Sequence, residues 1–441
     1  MYSFKVVIVG AGPVGLTTAH ALSKAGIDFV VLERRQVVVE DVGASLVLAP
    51  QSLRVMSQLQ LLDKLTAIST DLVHATNYTM DGKKFKEAWP FEVMKQNSHG
   101  SAPRVFHRAE LLQAIYQGLR PEDKSRVLTN KKITSIESDK AGVRVHCTDG
   151  STYEGSIVIG PMGSIAKTRQ LMRSLALQTS PGDTVNDEEP FTTEYRTMWC
   201  SFPKPENSEI GLGSSTDGSN ASVQYLTSTD RAWIFIYEHL ERPTKKRAWY
   251  SQEDVEAFAA KHAEMPINDH LKVKDVFAKK YHAGMANLEE GIIEHWSWER
   301  IVLVGDAAHK FTPNHGQGLN NGIQDAVVLV NELHRCIASV GASDQPSKGE
   351  LSIAFQRYQS TRTEYVKTDY NHSATVTRMS AWPNLWYRLL DRYIIPLIPG
   401  FDNMIMNYFA APHIAQGQIL EFIHSEESFK GKVPWVYSIE T

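Results

Sequence analysis

Cysteine is scarce in this chain. The three present, Cys147, Cys200 and Cys336, are odd in number and widely spaced, and they form neither a CxxC pair nor a disulfide framework. A small stapled scaffold is excluded, and a reducing, cytoplasmic setting is expected. An excess of one charge is also missing: 46 Lys plus Arg stand against 50 Asp plus Glu, a net charge of -4, which leaves no general electrostatic drive toward nucleic acid or an acidic membrane surface. No stretch reaches the ~20 apolar residues of a spanning helix. The most hydrophobic one, Tyr393 to Ala411, is interrupted by Pro396, Pro399, Gly400, Asp402 and Asn403. Its aromatic cluster, Trp382, Trp386, Tyr387, Tyr393 and Phe401 beside Arg388 and Arg392, leaves two readings open: peripheral membrane contact, or a stripe buried in a core. Met1 to Val9 has no basic leader followed by a long apolar core, so a structural N-terminus is expected. No metal set, HExxH, GxSxG or internal repeat is found.

What is present is ordinary globular composition, 42% hydrophobic and 22% charged over 441 residues, enough for roughly two or three domains. Lys5 to Val9 is a short apolar run rich in β-branched residues. A helix-like segment from Val14 to Ala25 and a second strand, Phe29 to Leu32, follow it, with Gly26 as the helix stop. Ile133 to Ser138, Val143 to Cys147 and Thr152 to Tyr153 read as a meander leading to a buried run, Ser156 to Ile159. From about Pro181 to Glu290 the pattern shifts to alternating strands such as Trp233 to Tyr237, plus a helix over Gln252 to His262 capped by Ser251. Ile301 to Val304 is a further buried strand, Gly322 to Ile337 a long amphipathic helix and Asp344 to Gly349 a loop. The remainder is helical and aromatic until the tail from Ser425.

Gly10, Gly12 and Gly15 lie between the first strand and the first helix. The first permits a tight turn, the second a close backbone approach to a pyrophosphate, and the third close packing of helix on strand. The helix N-terminus adds unpaired N–H groups and partial positive charge. Glu33 follows Gly15 by 18 residues at the end of the second strand, placed to accept from an adenosine ribose and to repel a 2′-phosphate. This pattern predicts dinucleotide binding.

A second segment, Arg300 to Gly322, is more specific. It contains Gly305-Asp306, Pro313-Asn314-His315-Gly316-Gln317-Gly318 and Asn320. With Gly43-Ala44-Ser45, Phe106-His107-Arg108 and Thr192 to Arg196, the chain resembles the group A, aromatic-hydroxylase-like FAD-dependent monooxygenases. Within them it is most similar to fungal epoxidases and hydroxylases of indole diterpene and meroterpenoid pathways. The resemblance implies that FAD is held by Gly10, Gly12, Gly15, Glu33, Ala44, Arg108, Asp306, Pro313, Gly316, Gly318 and Asn320. Asp306 would accept from the ribityl chain, and Gly316 and Gly318, just ahead of the helix, would offer amides to the ring. Tyr195, Arg196 and His315 are the candidate catalytic groups.

One motif departs from the family. Where Gly-Ala-Asp-Gly is usual, this chain reads Gly160-Pro161-Met162-Gly163, so a carboxylate is replaced by a thioether that accepts hydrogen bonds only weakly. Two outcomes follow. Either NADPH still reduces FAD and O2 then oxygenates an apolar small molecule at an alkene or aromatic carbon, or reduction is impaired and the scaffold serves a non-oxidative cyclisation or rearrangement. The expected architecture is α/β: a Rossmann-like FAD-binding domain from residues 1–75, 100–180 and 290–345, a mixed β-sheet substrate domain from 76–99 and 181–289, and a helical C-terminal region from 346–441.

Overall fold

The computed structural model describes residues 4–41, 43–161, 165–179, 182, 184–341 and 345–440. Met162 and Gly163, where the motif departs from the family, lie outside the described residues. Lys5–Val9 forms the centre of a six-stranded sheet in the order Ser297–Trp298, Ile301–Leu303, Ile157–Gly160, Lys5–Val9, Asp28–Leu32, Val127–Leu128. All neighbours are parallel except the first pair, which forms an antiparallel edge. Val6, Val7 and Ile8 are fully buried because helices cover the sheet, and for that reason the strand is continuously apolar rather than alternating. Three segments far apart in sequence therefore build one layer. The meander expected over residues 133–153 forms its own three-stranded sheet, Ile133–Ser138, Val143–Cys147 and Thr152–Gly155.

A second, eight-stranded sheet runs His309–Lys310, His282–Ile292, Thr192–Pro203, Arg231–Thr244, Ala221–Thr227, Leu212–Gly218, His74–Thr79, Lys84–Ala88. It is antiparallel apart from the pairing of Leu212–Gly218 with His74–Thr79. Two of its strands cross the boundaries expected at residues 75/76 and 289/290. Alternation and pairing run on through those points, with no loop to end them.

Helices Gln252–Lys261 and Val273–Phe277 pack on one face over Met198, Cys200 and Phe202. The first is fixed by the expected Ser251 cap, which with Asp254 makes a reciprocal capping box. The opposite face presents Trp233, Phe235, Tyr237 and Leu226 toward Ala44 and Val47, on and beside the strand Ser45–Leu48.

The C-terminal region opens with a 34-residue helix, Lys348–Ala381. Its capping box, Ser347 with Glu350, draws Lys348 and Gly349 into the first turn, so the loop expected over 344–349 is shorter than its polar composition suggests. Past a run of short helices, the tail threads back onto early residues. Gln58 exchanges two hydrogen bonds with Leu420, Arg54 Nε donates to Glu427 at 2.7 Å, and Asn331 donates to the Ile419 carbonyl at 2.8 Å.

Candidate active site

The first strand ends in Gly10, whose φ of +118° suits a residue without a side chain and whose amide donates to the Leu32 carbonyl. The helix Pro13–Lys24 starts at Gly12 with no side-chain cap and no acidic residue in its first turn. Its first N–H groups are left for a ligand. A Cβ on Gly15 would come within 2.1 Å of the Gly10 carbonyl oxygen and 3.3 Å of Pro161, so the turn closes only with glycine there. Glu33 is buried and accepts from the Ala11 and Arg35 amides at 2.8 and 3.0 Å. Each carboxylate oxygen keeps a further lone pair for a ribose hydroxyl.

The second motif follows the strand Ile301–Leu303. Gly305 takes φ +58°, and Asp306 sits beside it in a single 3-10 turn. Burial pushes the Asp306 carboxyl up, against the pull of Lys310, His309 and Arg108. The long helix spans Gln317–Val340, starting five residues before the expected Gly322. Gly316, at φ +68°, makes the turn into it, so Gly318 and Asn320 lie within the helix and not in a loop ahead of it. This N-terminus also lacks a side-chain cap, and a Cβ on Gly318 would lie 3.8 Å from Asp306. Asn320 is placed differently from a direct ligand. Its carbonyl accepts from Ala49 N and its amide donates to the Val47 and Gly316 carbonyls, so the side chain clamps the strand Ser45–Leu48 to the helix start. Pro313 is exposed on the loop before it.

Arg108 is half-buried against Gly43, where a Cβ would meet its Cδ at 3.0 Å, and its amide donates to the Ala44 carbonyl at 3.2 Å. Among the described residues its guanidinium has no ion-pair or hydrogen-bond partner. Two uncapped helix N-termini, an unpaired arginine and a glycine turn that a methyl would fill are what FAD requires: donors for phosphate and for the electron-rich ring, beside acceptors for sugar hydroxyls.

The three candidate catalytic groups do not converge. Tyr195 is fully buried between His239 and Arg378, with a hydroxyl that lacks a protein partner. Arg196, next along the strand, points to the opposite face. There it pairs with Glu238, which also takes Lys261 and His262, and it lies over Phe258. Glu238 is buried, which pushes its carboxyl up, but His262, Lys261 and Arg196 hold it at about 2. Arg196 therefore braces a helix against the sheet and is not part of the flavin-side surface. His315 stands in the flavin loop. Its surface is accessible, but crowding by neighbouring protein lowers its pKa, with His372 and His413 acting the same way and Asp369 opposing.

Sequence reasoning missed two features. Gln224 joins the Tyr237 hydroxyl, at 3.1 Å, to the Asn314 carbonyl, at 3.2 Å, tying the aromatic face of the sheet to the flavin loop. Thr377 and Thr312 tie the same loop to the helix Lys348–Ala381. The second feature is a buried ionic hub at Asp325, which accepts from the Gly305 amide at 2.8 Å and from Arg362 Nε at 2.8 Å, and lies 2.6 Å from His309 Nε2. Arg362 continues to Asn321, Asn321 to Asp369, and Asp369 to His413. The spacing of Asn321 and Asp325 by four residues on one helix was the only signal available from sequence.

Comparison with known proteins agrees with this geometry. Residues 3–344 match the family described as FAD binding domain. The chain is 33% identical to FAD-dependent monooxygenase srdH of Neurospora crassa, over 99% of both chains. It is 34% identical to FAD-dependent monooxygenase spyC of Aspergillus fumigatus, over 95% of this chain and 88% of that one. Among solved structures, Klebsiella pneumoniae HpxO complexed with FAD and uric acid shares the fold with a TM-score of 0.72 at 20% identity, over 93% of this chain and 96% of that one. FqzB shares it with a TM-score of 0.69 at 16% identity, over 93% of each chain. The family match over residues 3–344 and the relatives at 33% and 34% identity place this chain, with its glycine turn, uncapped helix pair and unpaired arginine, among the FAD-dependent monooxygenases, as an oxidoreductase whose cofactor is FAD.

Proposed function

We propose that the protein uses NAD(P)H and O2 to epoxidise or hydroxylate an apolar small molecule of the terpenoid, meroterpenoid or polyketide kind in secondary-metabolite biosynthesis. The observation that carries this reading is the surface facing the flavin loop. Trp233, Phe235, Tyr237 and Leu226, with Trp199 and Leu288 packed against them, form an aromatic and aliphatic cluster on the face of the sheet that Gln224 ties to the flavin loop. Such a face favours a substrate recognised by shape and apolar area, with few polar anchors. FAD, when bound, supplies the redox chemistry and the activation of oxygen. The chain's own residues orient and shield. Gln224 fixes the height of Asn314 over the sheet, Asn320 fixes the strand Ser45–Leu48 to the helix start, and the apolar face would exclude water. The fungal relatives, FAD-dependent monooxygenases by name, support the oxidative reading, and no observation favours the non-oxidative alternative drawn from Met162.

The test is anaerobic reduction of the purified yellow protein by NADPH, followed by turnover in air with candidate isoprenoid substrates. Flavin bleaching and a product heavier by one oxygen atom are expected. A flavin that NADPH never reduces, together with a product of unchanged mass, overturns the assignment. Tyr237→Phe should lower turnover several-fold and leave FAD affinity unchanged, because it loosens the Gln224 link without touching the cofactor residues.

A further inference from the structure

The segment after the long C-terminal helix leaves large apolar side chains in solvent. Leu385, Trp386, Leu397 and Tyr408 are 62% to 80% exposed, and Tyr393 and Phe409 are more than half exposed. Leu385, Leu389, Tyr393 and Leu397 recur every four residues through consecutive helical turns, so they share one side. At roughly 150–250 Å² for a large side chain, the six together leave apolar area on the order of 1,000 Å² open along this one segment, spread over its successive short helices. This is not loose packing. The segment is anchored from beneath by Trp382 Nε1 donating to Asp391 at 2.9 Å, by Lys86 pairing with Asp402 at 2.9 Å, and by Arg392 lying over Phe85. Asn384 caps its first turn.

Charge identifies what covers it. Asp391 is buried and Asp402 is paired, which leaves Arg388, exposed, and Arg392, part-exposed with its guanidinium over Phe85, as the charges of this segment without a carboxylate ion pair among the described residues. A second copy of the chain meeting this face across a two-fold axis would bring it only the same segment, which has no unpaired exposed carboxylate to offer the arginines. A bilayer carrying anionic headgroups would accept the arginines at headgroup level, the Trp and Tyr rings at the interface and the leucines below it. No described helix is long and apolar enough to cross a membrane.

We propose that residues 385–409 dock on the surface of an anionic bilayer, lying in its interface without spanning it. This does not rest on the reaction the site performs. The experiment is flotation of the full-length flavoprotein with phosphatidylcholine–phosphatidylserine vesicles and, separately, with pure phosphatidylcholine vesicles. Binding to the mixed vesicles, weakened by added salt, is expected. Arg388→Gln with Arg392→Gln should weaken it by about 30-fold, and Trp386→Ser with Leu397→Ser by at least roughly 10-fold. All four side chains reach solvent, and an unchanged melting curve and flavin spectrum would show that the variants are folded. Absence of flotation with either vesicle overturns the proposal. So does binding indifferent to both pairs of substitutions. A wild-type dimer in gel filtration that Trp386→Ser with Leu397→Ser converts to monomer would also overturn it, by assigning the face to self-association.

Discussion

Replacing Arg362 with methionine keeps most of the side chain's apolar length and removes three hydrogen bonds from a fully buried position, Nε to Asp325 at 2.8 Å and Nη2 to the Asn321 side-chain and backbone oxygens at 2.6 and 3.5 Å. Asp325 is left with the Gly305 amide and His309 alone, with no access to water. Breaking a buried ion pair from one side costs about 3–5 kcal/mol, because the remaining charge stays desolvated. The shift of the Asp325 carboxyl points the same way. Burial pushes its carboxyl up, yet His309 and Arg362 together hold it at about 2 against an ordinary 3.8. That depression corresponds to about 2 kcal/mol of stability. Its sign is that of a lowered acid: the contribution is complete above pH ~4 and is lost as pH falls toward 2. Arg362→Met should lower the urea midpoint by an amount equivalent to about 3–5 kcal/mol at pH 7 and move the onset of acid unfolding upward, toward pH 4 and above. Since Gly305 hangs on the same carboxylate, flavin should be released at the same midpoint; far-UV circular dichroism and flavin fluorescence would follow the two events. Asp325→Asn combined with Arg362→Met should cost less than the sum of the single changes. A loss below about 1 kcal/mol with an unmoved acid limb would refute the hub as a stabilising unit.

Arg108→Ala should weaken FAD binding by about 10- to 100-fold in a fluorescence titration, the value of one charge-assisted contact, with little change in melting temperature of the apoprotein. Gly15→Ala should yield colourless protein, because a Cβ at 2.1 Å from a backbone oxygen forces the turn open; retention of stoichiometric flavin would contradict the cradle. Arg196→Gln should lower stability by about 1–2 kcal/mol through the loss of a Glu238 partner and leave kcat and KM unchanged, as measured by urea titration beside steady-state kinetics. A specific loss in kcat would return Arg196 to the site.

The two glycine motifs were legible because each requirement is local: a positive φ, a tight approach, a helix start a few residues on. Gly316 shows where local reading stops. Gln317-Gly318-Leu319-Asn320-Asn321-Gly322 carries poor helix formers, and propensity alone delays the helix to Gly322. Burial of Leu319, Asn320 and Asn321, together with the Asn320 clamp, overrides that preference. Arg196 failed for a different reason. Its partner Glu238 stands opposite on the neighbouring strand, 42 residues on, and which face of the sheet the pair would occupy depends on a register shift between Thr193 and Tyr195. The hub at Asp325 joins residues from 305 to 413, a set no spacing rule connects.

The return of the tail to Arg54 and Gln58 bears on the timing of biogenesis. Arg54 is made early but finds Glu427 only 373 residues later, an interval of tens of seconds at ordinary translation speeds. Until then a buried guanidinium and the amide of Gln58 lack their partners, so the nucleotide-binding layer cannot complete its polar interior as it emerges. Its final consolidation waits until residues 419–437 have been made, several hundred residues behind the layer they complete.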